Sequence, residues 1–401
     1  TMWIDNLIFL PLILLGIEEM IKHGKFKLYV ICLSLALFSN YYIGYMTCIF
    51  VAAYFFYYYF SRTPEERNPH GLKLHFLRAF GRIAIYSLIV ICICSAIILP
   101  AYYSLTFGKT TFSDPSFGLS QKFDFLDLLS KMYFGSYDTV RPEGLPFLYT
   151  GMLAFILLPL YFIAPHIRLR EKVASGFLVL FMIVGFNAST LDLIWHGFQR
   201  PNWLNYRYSF MLSFLMVRFA AEAFNSIGEI RKKHIAGIAL AGFAVLLFIE
   251  KSDNYLDDIS RDTMDSMQVI LPVMFILLVI SAAVIQLKDK LNRKSMCIVF
   301  TVIVSLEIFA NTFVQLLRQD WDIVYSTRPS YVDVIVPTRE VVDEIKAKDD
   351  GFYRIEKEFH RTVNDPMACG MYGLSHSSST LNSKPIELLS RLGFSARSHY
   401  T

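Results

Sequence analysis

The segment at 196–210, HGFQRPNWLNYRYSF, holds the densest group of side chains that could bind a phosphate. Its polar members are His196, Arg200, Asn202, Asn205, Tyr206 and Arg207. An arginine guanidinium binds phosphate oxygens through paired hydrogen bonds, and Asn or Tyr can add hydrogen bonds to sugar hydroxyls. The clustering therefore favours a cradle for a phosphate that carries a sugar. For any single residue, an arginine that extends to a membrane interface beside Trp and Tyr anchors explains the pattern about equally well.

Further candidate residues lie at the ends of other apolar segments. They are Asp5 near Trp3, the group Asn40, Tyr41, Tyr42 and Tyr45 in NYYIGYM, the pair Asp138 and Arg141 in GSYDTVRPEG, and His376 in YGLSHSSSTLN. The tyrosines fit either an aromatic belt at a membrane interface or a ligand site. His376 and its hydroxyl neighbours fit either the binding of a glycan acceptor or a Ser/Thr-rich turn, and turns are the commoner use of such residues.

Several other kinds of chemistry have no support in the sequence. Cys92 and Cys94 have no His or carboxylate nearby, and the cysteines within apolar runs act as small hydrophobes, so no metal site is predicted. No cofactor is predicted, and a divalent cation is not supported. P-loop, GxSxG and HExxH motifs are absent from the sequence. Basic residues lie in short connections between apolar runs, so nucleic-acid binding is not predicted either.

A charged residue interrupts one apolar run, at Glu307 in SLEIFAN. A carboxylate inside a bilayer is costly and therefore suggests a function. One explanation is a proton relay. The favoured one is a buried hydrogen bond between helices, because Asn311 lies one turn later on the same helix face.

The elements that must position these residues are membrane helices. Hydrophobic residues make up 54% of the chain and charged residues 18%, against about 25% in ordinary soluble domains. Apolar runs that could span a bilayer recur along most of the chain, and they predict an all-α polytopic membrane protein. The predicted spans, about ten in number, are 6–20, 28–40, 43–61, 83–104, 147–165, 173–190, 207–224, 236–250, 268–286 and 296–316.

The charges between the spans predict which side of the membrane each connection faces. Lys and Arg concentrate in every second connection, among them KHGKFK, HIRLREK and IRKKH, which the positive-inside rule assigns to the cytoplasm. The intervening connections are then external, including the long loop 105–146 and the acidic segment 251–267. On this assignment NYYIGYM is a tight external turn between two spans. The segment at 196–210 reaches the same face.

The chain is predicted to have two domains. Residues 1–316 form the transmembrane helical domain with its external loop 105–146. Residues 317–401 begin an extracytoplasmic α/β domain, with helices at TREVVDEIKAKDDG and KPIELLSRLG and a strand at FYRIEKEF. Because the chain starts directly before a span and stops within polar sequence, we expect a fragment of a longer protein whose external domain is incomplete here.

Motifs spread in order along nearly the whole chain resemble the bacterial YfhO family of multi-pass membrane proteins. They are WIDNLIFLPLILLGIE, NYYIGYM, GSYDT, PFLYTGML, PNWLNYRYSF and YGLSHSSSTLN followed by LLSRLGF. The family is similar to GT-C glycosyltransferases and is linked to the glycosylation of cell-envelope polymers such as lipoteichoic acid. The resemblance implies a multi-pass protein of the bacterial plasma membrane. It would transfer a sugar from a polyprenyl-phosphate donor, a membrane lipid, to a polymer acceptor on the outer face.

The resemblance also implies roles for individual residues. GT-C enzymes usually take their catalytic base from the first external loop, which we expect to precede Thr1. Asp5 is then the catalytic candidate within this chain, as a second acidic residue of the site. Arg200 and Arg207 would offset charge on the leaving phosphate, and Arg141 with the tyrosine-rich turn would flank the lipid carrier or the acceptor.

Two other classes of function stay open. A transporter or lipid flippase predicts broken helices, paired repeats and ionisable residues near the middle of the membrane, and among these features the sequence offers Glu307. A non-catalytic envelope-assembly protein would use its external domain to bind a partner. A carboxylate in an external loop upstream of Thr1 would favour the transferase over the assembly protein.

Overall fold

The computed structural model describes residues 3–108, 117–136, 139–141, 144–199, 201, 203–251, 264–323, 325–359, 361–362, 364–378 and 382–394. In this part of the chain the regular structure is helical, and β-structure is limited to isolated bridges. The α-helices are Ile4–His23 (α1), Lys27–Ser39 (α2), Tyr41–Ser61 (α3), Pro64–Arg67 (α4), His75–Ile93 (α5), Ser95–Thr106 (α6), Asp127–Ser130 (α7), Met152–Ile163 (α8), Leu169–Asn187 (α9), Ser189–Trp195 (α10), Ser209–Asn225 (α11), Lys232–Lys251 (α12), Met264–Gln286 (α13), Arg293–Asp322 (α14), Arg328–Lys348 (α15), Asp365–Cys369 (α16) and Ser383–Arg391 (α17).

The chain divides into two compact units. The first comprises Thr1–Cys92 and Phe117–Asp322, and the second comprises Ile93–Ser116 and Ile323–Thr401. The second unit therefore contains α6 together with α15, α16 and α17. The predicted domain boundary at 316/317 and the extracytoplasmic location of the tail stay predictions.

The helices coincide with the predicted spans, but crossing of the membrane by all ten is not confirmed. Among the described residues, four helices are long and apolar enough to cross: Tyr41–Ser61, His75–Ile93, Lys232–Ile249 and Arg293–Gln319. The predicted span 83–104 is divided between α5 and α6, with a break at Cys94. Helix α8 has 12 residues and is about 18 Å long, which is shorter than the roughly 30 Å of a bilayer core.

Helices α1, α2 and α3 pack closely because glycines face their neighbours. A Cβ on Gly16 of α1 would lie 2.6 Å from the backbone nitrogen of Tyr29 in α2, and a Cβ on Gly44 of α3 would lie 3.0 Å from the Leu37 Cα. Elsewhere in the first unit, α3 packs against α9, and α8 packs against α11. The turn predicted at NYYIGYM is confined to Asn40, which separates α2 from α3, and residues 41–46 are already helical.

Polar residues of α14 bind described residues of the connection that precedes α8, and the first residue of α8 itself. Glu307, Asn311, Arg318 and Asp322 follow one another at spacings that place them along one side of a helix. Glu307 Oε1 accepts hydrogen bonds from the Tyr149 hydroxyl and from Met152 N. Asn311 Oδ1 accepts one from Gly135 N (2.9 Å), and Arg318 Nη1 donates to the Gly135 carbonyl. The Asp322 carboxylate accepts hydrogen bonds from Thr139 Oγ1 (2.9 Å) and Val140 N (2.7 Å). The predicted common face of Glu307 and Asn311 is confirmed.

In the second unit, both predicted tail helices are present as α15 and α17, but the strand predicted at 352–359 is not confirmed. Those residues are irregular, with one backbone hydrogen bond, from Ile355 N to the Tyr372 carbonyl. Within this unit, the Asp365 carboxylate is fully buried and pairs with the Lys357 ammonium.

Candidate functional site

The first part of the site is the start of α3. The Asn40 side-chain oxygen accepts hydrogen bonds from the backbone N–H groups of Tyr42 (3.1 Å) and Ile43 (3.0 Å), as an N-cap does. The cap fixes the first turn of α3, which carries Tyr41, Tyr42 and Tyr45. Asn40 therefore has a clear structural role, in addition to any contact with a ligand.

The second part is the connection between α10 and α11, and it lies beside the first. The Tyr45 hydroxyl donates to the carbonyl of Ile194 in α10 at 3.0 Å. The rings of Tyr42 and His196 have centroids 6.4 Å apart. The Arg207 guanidinium lies 5.1 Å from the centroid of the Tyr42 ring. The structure thus brings NYYIGYM and the segment that contains Arg207 together.

Arg207 is held between two aromatic rings. Its guanidinium lies 5.1 Å from the centroid of the Trp3 ring as well as from that of Tyr42. Nε donates to the Leu204 carbonyl at 3.0 Å, and Nη2 donates to the Trp203 carbonyl at 2.9 Å. In the described part of the chain no carboxylate forms a salt bridge with this side chain. A half-buried cation next to aromatic faces can therefore accept an anionic partner from outside the protein.

A buried carboxylate, Asp192 of α10, organises the residues behind Tyr42. It accepts hydrogen bonds from the Lys122 ammonium at 2.7 Å and from the Tyr208 hydroxyl at 2.9 Å, and its Oδ1 lies 3.3 Å from His196 Nδ1. Burial alone would raise the pKa of Asp192, but the hydrogen bond with His196 and the charge of Lys122 hold that pKa below its usual value. Asp192 is therefore ionised at neutral pH.

His196 has an ordered orientation. Its Nδ1 lies 2.8 Å from the Asp192 carbonyl and near the Asp192 carboxylate, which assigns the proton to Nδ1. Nε2 is buried without a hydrogen-bond partner among the described residues. The ring also meets Tyr208 at 5.7 Å, and Tyr208 in turn stacks on Trp195. This packing keeps the imidazole near the Tyr42 ring.

The backbone after α10 is strained. Phe198, Leu204 and Tyr206 have φ values of 63°, 54° and 55°, a region that non-glycine residues rarely adopt. Such conformations persist where the surroundings impose them, often at functional sites. Here Tyr206 is buried beneath the Lys122 ammonium, which lies 4.5 Å from the ring centroid. Tyr206 therefore anchors this connection by packing.

The remaining predicted residues are placed differently. Asp5 is exposed in the first turn of α1, Tyr41 and Asn205 are partly exposed, and Arg141 pairs with Asp322 (Nε–Oδ1 3.3 Å). The Arg141 loop still adjoins the site, because the neighbouring Val140 carbonyl accepts a hydrogen bond from Leu204 N. His376 lies in the second unit, with Nδ1 2.9 Å from the Leu374 carbonyl. Three predicted site residues, Asp138, Arg200 and Asn202, lie outside the described residues.

The sequence analysis missed Asp192, Lys122 and Tyr208. One signal was available for the first, because Asp192 and His196 are four residues apart in STLDLIWH, which places them on one face of a short helix. Lys122 is 70 residues away from Asp192 in sequence, and nothing in its local pattern indicates this partner.

Comparison with known proteins places these observations in a family. The family model described as bacterial membrane protein YfhO matches residues 1–401. The uncharacterized protein YfhO of Bacillus subtilis (strain 168) is 23% identical over 383 residues, which are 94% of this chain and 40% of that protein. This chain thus spans less than half the length of that relative. No solved structure matches this chain. The chain belongs to the YfhO family of bacterial membrane proteins.

Proposed function

We propose that this protein is a membrane glycosyltransferase of the GT-C type, which takes a sugar from a polyprenyl-phosphate donor. The observation that carries the proposal is Arg207, a cation between Trp3 and Tyr42 that has no salt bridge in the described part of the chain. A guanidinium has five N–H donors, and loop carbonyls take hydrogen bonds from two of its nitrogens. The other donors suit phosphate oxygens, which arginine binds in pairs.

The chemistry that follows is an inverting transfer. A carboxylate removes the proton from an acceptor hydroxyl, the oxygen attacks the anomeric carbon, and the bond from that carbon to the phosphate oxygen breaks. Negative charge grows on the leaving phosphate, and Arg207, with Arg200, offsets it. Electrostatic help of this kind is usually the largest contribution to catalysis. Asp5 is proposed as a second acidic residue of the site, since it lies in the same first turn of the chain as Trp3.

The acceptor is proposed to be a cell-envelope polymer of the lipoteichoic-acid type, glycosylated on the outer face of the bacterial plasma membrane. Membership of the YfhO family supports this assignment, and the alternation of basic connections supports the outward orientation of the site. The tail with His376 would then be extracytoplasmic and could contact the acceptor.

Substitution of Arg207 tests the proposal in the protein expressed from its complete reading frame. Arg207→Lys keeps the positive charge and loses the paired N–H donors of the guanidinium, and Arg207→Gln loses both. Loss of one charge-assisted hydrogen bond costs about 1.5–3 kcal/mol, or roughly ten- to a hundredfold in rate or affinity. We expect transfer of labelled sugar from a polyprenyl-phosphate donor to membrane polymer to fall for Lys and to be lost for Gln.

Arg170→Gln is the control, because Arg170 is exposed and its Nη1 donates to a backbone carbonyl, that of Arg62, at 3.3 Å. This variant should transfer sugar as the wild type does. Binding of a short-chain polyprenyl phosphate, measured by ³¹P NMR, distinguishes a transferase from an assembly protein or a transporter. Binding that depends on Arg207 without any transfer by the wild type would indicate an assembly protein or transporter. Wild-type transfer by Arg207→Gln would refute the proposed site.

A lipid transporter is the second candidate, and one observation favours it. Helix α8 is too short to cross a bilayer and is preceded by an irregular segment that is held against the middle of the candidate span in α14. Transporters use such interrupted helices at their substrate sites. Movement of a fluorescent polyprenyl phosphate across proteoliposomes, without sugar transfer, would favour this function.

A further inference from the structure

The most deeply buried of the described side chains in α14, a candidate membrane span, is a carboxylate, that of Glu307. In the candidate span Arg293–Gln319, 11% of the apolar stretch is buried. The described side chains that are buried there are Met296, Phe300 and Glu307, which are 4%, 6% and 2% exposed. Glu307 lies near the middle of the span. An ordinary apolar helix would place a hydrophobic residue at this position.

The two oxygens of Glu307 have different surroundings. Oε1 accepts hydrogen bonds from Met152 N at 2.7 Å and from the Tyr149 hydroxyl. Met152 is the first residue of α8, so its N–H is one that the helix itself leaves unpaired. Gly151, with a φ of 98°, lets the chain turn here, and a Cβ at that position would be 3.7 Å from Oε2. Oε2 is buried without a hydrogen-bond partner among the described residues.

Among the described residues of the segment that packs against Glu307, no basic side chain forms a salt bridge with it. Tyr149 is the titratable group in contact. The Tyr133 hydroxyl donates to a carbonyl of α12, and the Lys131 ammonium donates to the Ser136 carbonyl. Both groups are thus engaged with other acceptors.

The described side chains of the neighbouring helix α13, those of Pro272–Gln286, supply no positive charge either, because they include no Asp, Glu, Lys, Arg or His. On α14 itself, Arg318 and Asp322 lie roughly 16 and 22 Å farther along the helix, where they bind the segment 135–141. In the described part of the chain no salt bridge involves Glu307.

A carboxylate in such surroundings avoids the cost of a buried charge by taking up a proton. We propose that Glu307 is a proton-binding site in the membrane-embedded part of the protein, protonated on Oε2 at neutral pH. The proton belongs on Oε2 because Oε1 already accepts two hydrogen bonds. This site is separate from the proposed transferase chemistry and shares no residue with the Arg207 site.

Infrared spectroscopy of the purified protein, expressed from its complete reading frame, tests the assignment. A protonated carboxyl gives a C=O stretching band that an ionised carboxylate lacks. We expect this band in the wild type at neutral pH, its loss in Glu307→Gln, and its decline in the wild type at alkaline pH. Asp322→Asn is the matched control on the same helix, and should keep the band because Asp322 is paired with Arg141.

Tyr149→Phe supplies a second readout if Glu307→Gln does not fold. Removal of the phenol takes one hydrogen bond from Oε1, so the C=O band should move to higher frequency. Identical spectra for the wild type and both variants would overturn the proposal, because Glu307 would then be ionised.

Discussion

Asp192→Asn gives a direct test of how the site is held together. The substitution keeps the shape of the side chain and removes its charge. The wild-type carboxylate receives hydrogen bonds from Lys122 at 2.7 Å and from Tyr208 at 2.9 Å, and lies 3.3 Å from His196 Nδ1. An amide offers one acceptor oxygen in place of two. If that oxygen stays with Lys122, the Tyr208 hydroxyl can still donate to the Gly185 carbonyl at 2.8 Å, so the main loss is the charge of the bond with Lys122.

The expected loss of stability follows from burial. Breaking a buried ion pair by removing one partner costs about 3–5 kcal/mol. The Asp192 side chain is 6% exposed, but that of Lys122 is 26% exposed, so the ammonium can recover part of its hydration. We therefore expect Asp192→Asn to lower the free energy of unfolding by roughly 2–4 kcal/mol. In a double-mutant cycle with Lys122→Met, the coupling energy should be about 1–3 kcal/mol.

The pair of Asp192 and Lys122 should also make the stability of the protein depend on pH. The folded pKa of Asp192 lies below the usual value, so its contribution is fully present above the unfolded pKa of about 3.9 and is lost as the pH falls through the folded pKa. Asp192→Asn should remove this acid-dependent part of the stability curve. Asp124→Asn, two residues from Lys122 and exposed, is the control that should leave the curve unchanged.

Unfolding in mixed micelles with increasing SDS, followed by tryptophan fluorescence, measures these effects. Trp195 stacks on Tyr208 with ring centroids 4.3 Å apart, so the fluorescence reports on this part of the molecule. A loss below about 0.5 kcal/mol for Asp192→Asn, with no coupling to Lys122, would be what surface substitutions give. That result would refute the view that the carboxylate organises the site.

Two further predictions concern packing and the second unit. Gly16→Ala should destabilise the protein by about 1–3 kcal/mol in the same assay, because its Cβ would overlap the Tyr29 backbone, whereas Gly81→Ala, whose Cβ meets nothing within 4 Å, should be neutral or stabilising. In the second unit, burial alone would raise the pKa of Asp365, but Lys357 and local hydrogen bonds lower it to about 2. Protease resistance of the tail should therefore fall as the pH drops from about 4 toward 2, and in Asp365→Asn it should be low throughout and independent of pH in this range.

The positions of the helices could be predicted from the sequence, because each apolar run is long enough to form one. The number of helices that cross the membrane could not be predicted in this way. A break such as that at Cys94 has no Gly or Pro at the junction to mark it. The short α8 was predicted as part of the longer segment 147–165, since its irregular flank is also apolar. The strand at 352–359 followed from alternation, but the described part of the chain offers no partner strand.

The neighbourhood of Tyr42 and Arg207 was partly predictable. Both segments occur at helix ends that the charge alternation assigns to one face, and the structure places the two side chains 5.1 Å apart. Partners distant in sequence were not predictable. The sequence assigned Arg141 to the ligand, whereas the structure pairs it with Asp322, and charge alone does not choose between these partners. Asp192 was hidden because its importance comes from Lys122, which is brought to it by the fold.

Charges that have partners and charges that lack them call for different explanations. In the pairs of Lys122 with Asp192 and of Lys357 with Asp365 the carboxylate is buried, and its ammonium partner offsets the cost of burying that charge. Arg207 and Glu307 have no salt bridge in the described part of the chain, so the fold alone does not explain why a charged residue occupies each position. The proposed partner of Arg207 is an anion from outside the protein, and the proposed partner of Glu307 is a proton. The two sites use different helices and share no contact residue, so failure of either proposal leaves the other standing.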